Sequence, residues 1–306
     1  MFRVFVKGLL ESETQIFLSY NPQILLSALI LCINKRSRFM KTNKKWVESL
    51  FYQQLDLIKE HATNLKEFPN DIEHVHQFRV RIRHLRSLLN FFKPEISKKW
   101  IAKTNKYLRE CAAVFSKTRE MDVIVEYFNE VESVHNSDNQ LGTYIRNQAN
   151  QTRNQVIAAF DSLLFVDHIN QLFESIPFKE KKNIKKKKLE KRLVSFAKEI
   201  VKNKKAIDFQ DYTTLHEYRK DVKKLRYVLA STKPIENHAI LELEPIKNLS
   251  EELGVLTDVH FIRNTLATFD GIDENQTRDF LSFLHQKEQK AFQTCIDLLS
   301  EKETKL

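Results

Sequence analysis

Apolar residues recur at intervals of three and four along nearly the whole chain, the period of a helix that buries one face. From Lys44 to about Lys66, Val47, Leu50, Phe51, Leu57, Ile58, Ala62 and Leu65 mark a first helix, which Pro69 closes. Asn70 and Glu73 form a capping box for a second, ending near Lys93-Pro94. A third follows with Ile101, Thr104, Leu108, Cys111 and Phe115 inward, and Lys99, Lys103, Lys106 and Arg109 around the remainder. A fourth begins near Glu120, and another covers roughly residues 140–165. Beyond Pro177, Leu189, Leu193, Phe196, Ala197 and Ile200 predict a helix, and Thr214 with Glu217 caps the next. Further helices are predicted over about 237–254, 258–269 and 274–301. With only 4 Gly and 6 Pro there are too few turn residues for many short strands. The fold class is all-α.

Two of these helices carry a cationic stripe beside their apolar face. At about 100° per residue, His76, Arg79, Arg83 and Arg86 share one side, and Phe78, Ile82, Leu85, Leu89 and Phe92 another. The second copy sets His216, Arg219, Lys223 and Arg226 together and Tyr218, Val222, Leu225 and Leu229 together. A solvated face normally mixes signs, because like charges at helical neighbours cost a few tenths of a kcal/mol each. Neither stripe contains an acid, and the same register of His, Arg, basic, Arg occurs twice. That favours a ligand surface.

The repeat goes further. Phe115–Val123 can be laid on Leu253–Phe261 at an offset of 138, against 140 for the stripes, and Arg109 then falls on Lys247. At 306 residues, with 42% hydrophobic content, the chain has ample material for a core. It divides into a first helical half of about residues 44–165, a linker of about 166–184 and a second half of about 185–301. Two bundles related by approximate two-fold symmetry follow, and such symmetry brings both stripes to one interface.

Charge sharpens this picture. Of the net +10, the segment Lys179–Arg192 supplies +7, with nine basic and two acidic residues. A surplus this local implies a patch for a polyanion. Within it Lys187 and Lys191 oppose the apolar face, whereas Lys185, Lys188 and Arg192 flank it and are placed to join a binding face. Cys32, Cys111 and Cys295 form no CxxC pair, which fits a reducing interior and a cytoplasmic location. Residues 1–39 differ from the rest. Ile24–Ile33 is an apolar run of ten, too short to span a membrane, and Met40 is the expected initiator of the domain proper, with 1–39 an upstream extension.

The stripes resemble the CHAD family, the conserved-histidine α-helical domain, through HxxRxxxR[RK]LR at His76–Arg86, with His84 in the second basic slot, and again at His216–Arg226. An LGxxRDxDV-like segment follows each copy. Ser116 and Glu120 depart from it in the first, where Arg119 and Asp122 are kept, and Thr257 departs from it in the second. These segments are read as securing helix junctions. The resemblance covers about residues 44–300, without a CYTH-type tunnel sequence before it. It implies an antiparallel helical fold of two pseudo-two-fold bundles and a basic central surface or pore that binds inorganic polyphosphate.

A phosphate polymer offers closely spaced charge and no base edges, so a dense row of guanidinium and ammonium groups is its natural receptor. The expected function is polyphosphate binding without catalysis or cofactor, in the cytoplasm and in association with polyphosphate granules. The ligands expected are Arg79, Arg83, Arg86, Arg219, Lys223 and Arg226. Lys103, Lys106, Arg109, Lys188, Arg192 and Lys247 are secondary candidates, and His76 and His216 donors when protonated. A nucleic-acid (RNA) module is the first alternative, but it predicts aromatics among the cations for base stacking, and only Tyr227 lies near. A metal-dependent phosphohydrolase is the second, with Glu120, Asp122, Asp258 and His260 as its one acidic grouping.

Overall fold

The structure is a computed structural model that describes residues 44–135, 140–179, 184, 186–203, 207–209, 211–232, 243–269 and 274–300. Among these residues it is helical throughout: α1 (Lys44–Glu67), α2 (Ile72–Phe91), α3 (Lys98–Val114), α4 (Ser116–His135), α5 (Gln140–Ala159), α6 (Ser162–Phe173), α7 (Lys186–Asn203), α8 (Tyr212–Thr232), α9 (Leu243–Leu266) and α10 (Glu274–Ser300). One antiparallel β-bridge, Ile96 to Phe178, pins the chain after α6 to the α2–α3 turn. There Ser97 donates to the Pro177 carbonyl at 2.9 Å and Lys179 donates to that of Glu95 at 2.8 Å. The extension at 1–39 lies outside the described residues. Among those described, no single helix is long and apolar enough to cross a membrane.

Helix faces follow the apolar period closely. Phe78, Ile82, Leu85, Leu89 and Phe92 are fully buried, as are Val222 and Leu225, with Tyr218 and Leu229 nearly so. In α1, Leu55 is buried where the pattern favoured Leu57, which is half-buried. Both stripe helices start on an aspartate rather than on the predicted capping boxes. Asp71 accepts from the Glu73 amide and Asp211 from the Thr213 amide, each at 2.9 Å. Each aspartate stands five residues before its histidine and offers an anion to the helix N-terminus.

Two boundaries differ from expectation. The helix predicted over 140–165 breaks at Phe160-Asp161, where the Asp161 carboxylate accepts from the Leu164 amide at 3.0 Å and starts α6, bent by 59° from α5. Residues 166–173 of the predicted linker are therefore helical. Conversely, α9 runs straight through Gly254, where the sequence suggested a stop. A glycine ends a helix by adopting a left-handed conformation, and Gly254 keeps a helical one. Thr257 satisfies its hydroxyl inside the helix by donating to Leu253 and Gly254 carbonyls at 3.1 and 3.0 Å.

The apolar core does not divide at the middle of the sequence. One cluster joins α1, α2, α3, α6, α7 and α8 to the first part of α9 and the last part of α10. A second joins α4 and the start of α5 to the end of α9 and the start of α10. Helices of 24 and 27 residues are long enough, at about 1.5 Å per residue, to serve both clusters. Helices α2 and α8 pack directly on each other.

Candidate functional site: a cationic seam between α2 and α8

Because α2 and α8 touch along faces next to their apolar stripes, their cations are brought together. Lys223 of α8 lies within the field of Arg83 from α2, as well as Arg219 and Arg226 from its own helix. His76 lies within that of Arg119, Arg83, Lys223 and Arg79. Arg86 is neighboured by Arg109 and Arg83. A seam thus runs from His76 through Arg83 and Lys223 to Arg86 and Arg109.

Burial and like charge act together against the charged forms along this seam. Burial, then the surrounding guanidinium groups, pushes His76 down to about 3 and holds it neutral. Lys223 is driven well below an ordinary lysine by the same two causes, only partly offset by Asp258. Arg79 falls to about 10 and Arg86 is also lowered, burial leading in both. The Nε atoms of Arg79, Arg83, Arg86 and Arg219 and the Nδ1 atoms of His76 and His216 are buried without a hydrogen-bond partner. Native proteins rarely leave so many buried donors unpaired. Six of the fifteen such side-chain atoms among the described residues belong to the two stripes, where they are placed to donate to an anion.

The cations are not equivalent. Arg79 Nη1 donates to the Ala112 carbonyl and, at 2.9 Å, to Ser116 Oγ. Arg219 Nη1 donates to Thr257 Oγ1 and, at 3.2 Å, to Asp258. The segments read as mere helix junctions therefore hold the first arginine of each stripe. Gly254 lies against the same guanidinium, and a Cβ there would sit 3.4 Å from Arg219 Nη2, in ordinary contact. Carboxylates from other helices also reach stripes that carry none of their own. Asp258 reaches Arg219, Glu120 acts on Arg79, and Glu251 stands 3.6 Å from Arg226. Among the described residues, no ion pair engages Arg83, Arg86 or Lys223. They form the uncommitted centre.

Several predicted positions lie elsewhere. Arg192 is fastened to Glu95 at 2.6 and 2.9 Å and to the Phe91 carbonyl at 2.7 Å, so it clips α7 to the end of α2. Lys188, Lys103 and Lys106 are exposed, with Lys106 4.0 Å from Glu110, and Lys247 pairs with Glu244 at 3.1 Å. His84, in a basic slot of the motif, is a packing residue. Its ring stacks on Tyr227 at 4.9 Å, its Nε2 meets Ser231 Oγ at 2.7 Å, and burial holds it neutral, down to about 4. Tyr227 is itself buried. Arg119 was not a predicted ligand, yet its charge acts on both His76 and Arg79 while Glu126 holds it at 2.7 and 3.0 Å.

The acidic grouping is dispersed. Asp122 is buried against Arg153, Asp258 faces Arg219, Glu120 faces Arg79, and His260 stacks on Tyr212 at 4.2 Å. Among the described residues, no three His, Cys, Asp or Glu side chains are grouped to hold a metal ion.

The CHAD domain pattern matches residues 49–267, which include both stripes and both following segments. The chain belongs to the CHAD domain family. Solved structures share the fold: PptA from Streptomyces chartreusis, with a TM-score of 0.65 at 10% identity over 85% of this chain and 99% of that one, and the CHAD domain from the plant Ricinus communis, with a TM-score of 0.64 at 15% identity over 85% and 93%. No curated protein matches by sequence. At such low identity these structures show the shared fold alone. The seam must be argued from its own residues.

Proposed function

We propose that the protein binds inorganic polyphosphate along the α2–α8 seam, without catalysis, and that the two stripes act as related halves of one basic central surface. The observation that carries this reading is the acid-free cluster of Arg83, Arg86 and Lys223, which among the described residues has no ion pair, together with the buried arginine Nε and histidine Nδ1 atoms around it. A phosphate chain supplies acceptors along its whole length, satisfying these donors and cancelling the repulsion among their charges. Two acids of the alternative hydrolytic set, Asp122 and Asp258, are paired with Arg153 and Arg219, which supports the binding reading. Tyr227, whose ring lies 6.0 Å from the Arg226 guanidinium, is covered, which removes it as a stacking surface for RNA bases. In the cytoplasm such a seam fits association with polyphosphate granules.

Two measurements test this. Titration with long-chain polyphosphate is expected to give an affinity that falls steeply with salt, through counterion release. Competition at matched charge and salt is expected to favour polyphosphate over RNA. Preferential RNA binding, or release of orthophosphate with Mg or Mn that is lost in Asp258→Asn, would overturn the proposal.

Protonation is expected to couple to binding. His76 has a native pKa of about 3 against about 6.5 when unfolded, so the unfolded chain binds more protons between those values. Its contribution to stability is present above about pH 6.5 and is lost as pH falls towards 3, and His84 acts with the same sign. Burial first, and then the neighbouring cations, depress His76 and His216; a bound polyanion offsets the second cause, so binding is expected to take up protons and to tighten as pH falls. Calorimetry at about pH 6 in buffers of different ionisation enthalpy reads this uptake directly. No uptake, with equal affinities at pH 8 and pH 6, would remove both histidines from the site.

A further inference from the structure

We propose that the cavity beside the start of α8 receives the base of a nucleoside polyphosphate, whose phosphates run onto the first residues of the second stripe. This rests on the reading of that stripe as a phosphate site, and adds a ligand class that an inorganic chain does not represent. The cavity has a volume of about 270 Å³ and lies where α8, α9 and α10 meet, with Phe209, Tyr212, Leu256 and Phe292 among its walls. A purine is flat, apolar on its faces and polar around its rim. It calls for an aromatic or apolar wall and hydrogen-bonding groups at the edge.

Both are present. The Phe209 and Phe292 rings meet edge to face at 5.1 Å and 85°, so one can lie along a planar guest while the other closes against its rim. Phe292 is 41% exposed, which leaves ring surface for a guest. At the edge, Gln289 directs Nε2 to His285 at 3.0 Å, which leaves its Oε1 to accept from an exocyclic amine. Glu288, a second acceptor, is fixed by Arg263 at 2.7 Å.

The cavity adjoins the cations through a shared wall. The Tyr212 ring stacks on His260 of the cavity at 4.2 Å and on His216, the first residue of the stripe, at 5.4 Å. Arg219 and Lys220, together with the carboxylates of Asp258 and Glu120, lie within electrostatic reach of the Tyr212 hydroxyl. A base seated in the cavity therefore shares the Tyr212 wall with His216, and its phosphates can pass around that ring towards His216 and Arg219. An inorganic chain places nothing in the aromatic cavity, so the two ligand classes separate cleanly in a binding experiment.

The test is titration of the full chain with inorganic tripolyphosphate, ATP and long-chain polyphosphate, all without metal. Although ATP carries less charge than tripolyphosphate, it is expected to bind about 5- to 50-fold tighter, within the range that stacking one base is worth. Phe292→Ala, at an exposed position, is expected to abolish that advantage and leave both inorganic ligands unchanged, whereas Phe292→Tyr keeps it. Gln289→Leu is expected to reduce the preference for ATP over UTP. If ATP binds no tighter than tripolyphosphate while long chains bind well, or if Phe292→Ala weakens all three ligands alike, the cavity proposal fails and the seam stands. ATP binding that depends on Phe292, with no binding of inorganic chains, would instead leave the cavity and remove the polyphosphate reading. If none of the three binds, both fail.

Discussion

Replacing Arg83 by Leu and Lys223 by Met together is expected to raise the melting temperature while weakening long-chain polyphosphate binding by about a hundredfold. The two effects have one cause. Among the described residues these side chains have no ion pair, and each lies in the field of the other and of the remaining arginines. Burying a cation without a partner costs free energy that an apolar residue of similar volume does not. Relief of about 1–2 kcal/mol is expected, or roughly 2–8 °C for a domain of this size. The bound polymer loses two charge-assisted contacts, and the slope of log affinity against log salt falls by about 1.4, at ~0.7 per phosphate for a flexible single strand. Arg79 and Arg219 are poorer probes, because their guanidinium groups also bind the α3–α4 turn and α9. Thermal melts and salt-dependent titrations check both signs. A double variant that is less stable yet binds as the wild type does would show the seam to be a packing device.

Arg153→Met is expected to lower stability by about 3–5 kcal/mol, read as a shift in the urea midpoint at pH 7. Arg153 is 4% exposed and donates to the Asp122 carboxylate, which is wholly buried, and to Asn150 at 3.1 Å. Burial already raises the Asp122 carboxyl against the pull of Arg153. Without the guanidinium, the buried carboxylate has lost its principal counter-charge, so its pKa rises further. The folded variant then binds a proton more readily than the unfolded chain, and its deficit shrinks as pH falls from 7 towards 5. Exchanging both partners for apolar residues of similar volume, as in Asp122→Leu with Arg153→Met, is expected to restore most of the loss. A loss below about 1 kcal/mol in the single variant, or one independent of pH, would mean that the pair contributes little.

How far such features can be read from sequence depends on the range of the interaction behind them. The inward positions of α2 and α8 followed from a three- and four-residue period, because a helix sets the direction of each side chain relative to its near neighbours. The caps needed one more step. Asp71 and Asp211 stand at the same offset of 140 as the histidines, so the repeat contained them, although Asn70 and Thr214 fitted a familiar capping pattern better. Gly254 shows the limit of local rules. A glycine after a leucine resembles a helix stop, yet here it stays helical and packs against the Arg219 guanidinium from another helix. The break at Asp161 had a local cap as its signal, obscured by apolar residues that continue on both sides.

Local periodicity settled the helical class, the buried face of each stripe helix and the presence of two cation rows that contain no acid. All are properties of single helices, governed by residues within two turns of each other. Tertiary structure alone decided that the rows meet, that Asp258, Glu120 and Glu251 reach Arg219, Arg79 and Arg226, and that Arg83 and Lys223 stay uncommitted at the centre. It also withdrew Arg192 and His84 into packing contacts. The reason is that the charge state and pairing of a side chain depend on groups distant in sequence, and only the packing of α2 on α8 and α9 fixes which of those groups come near.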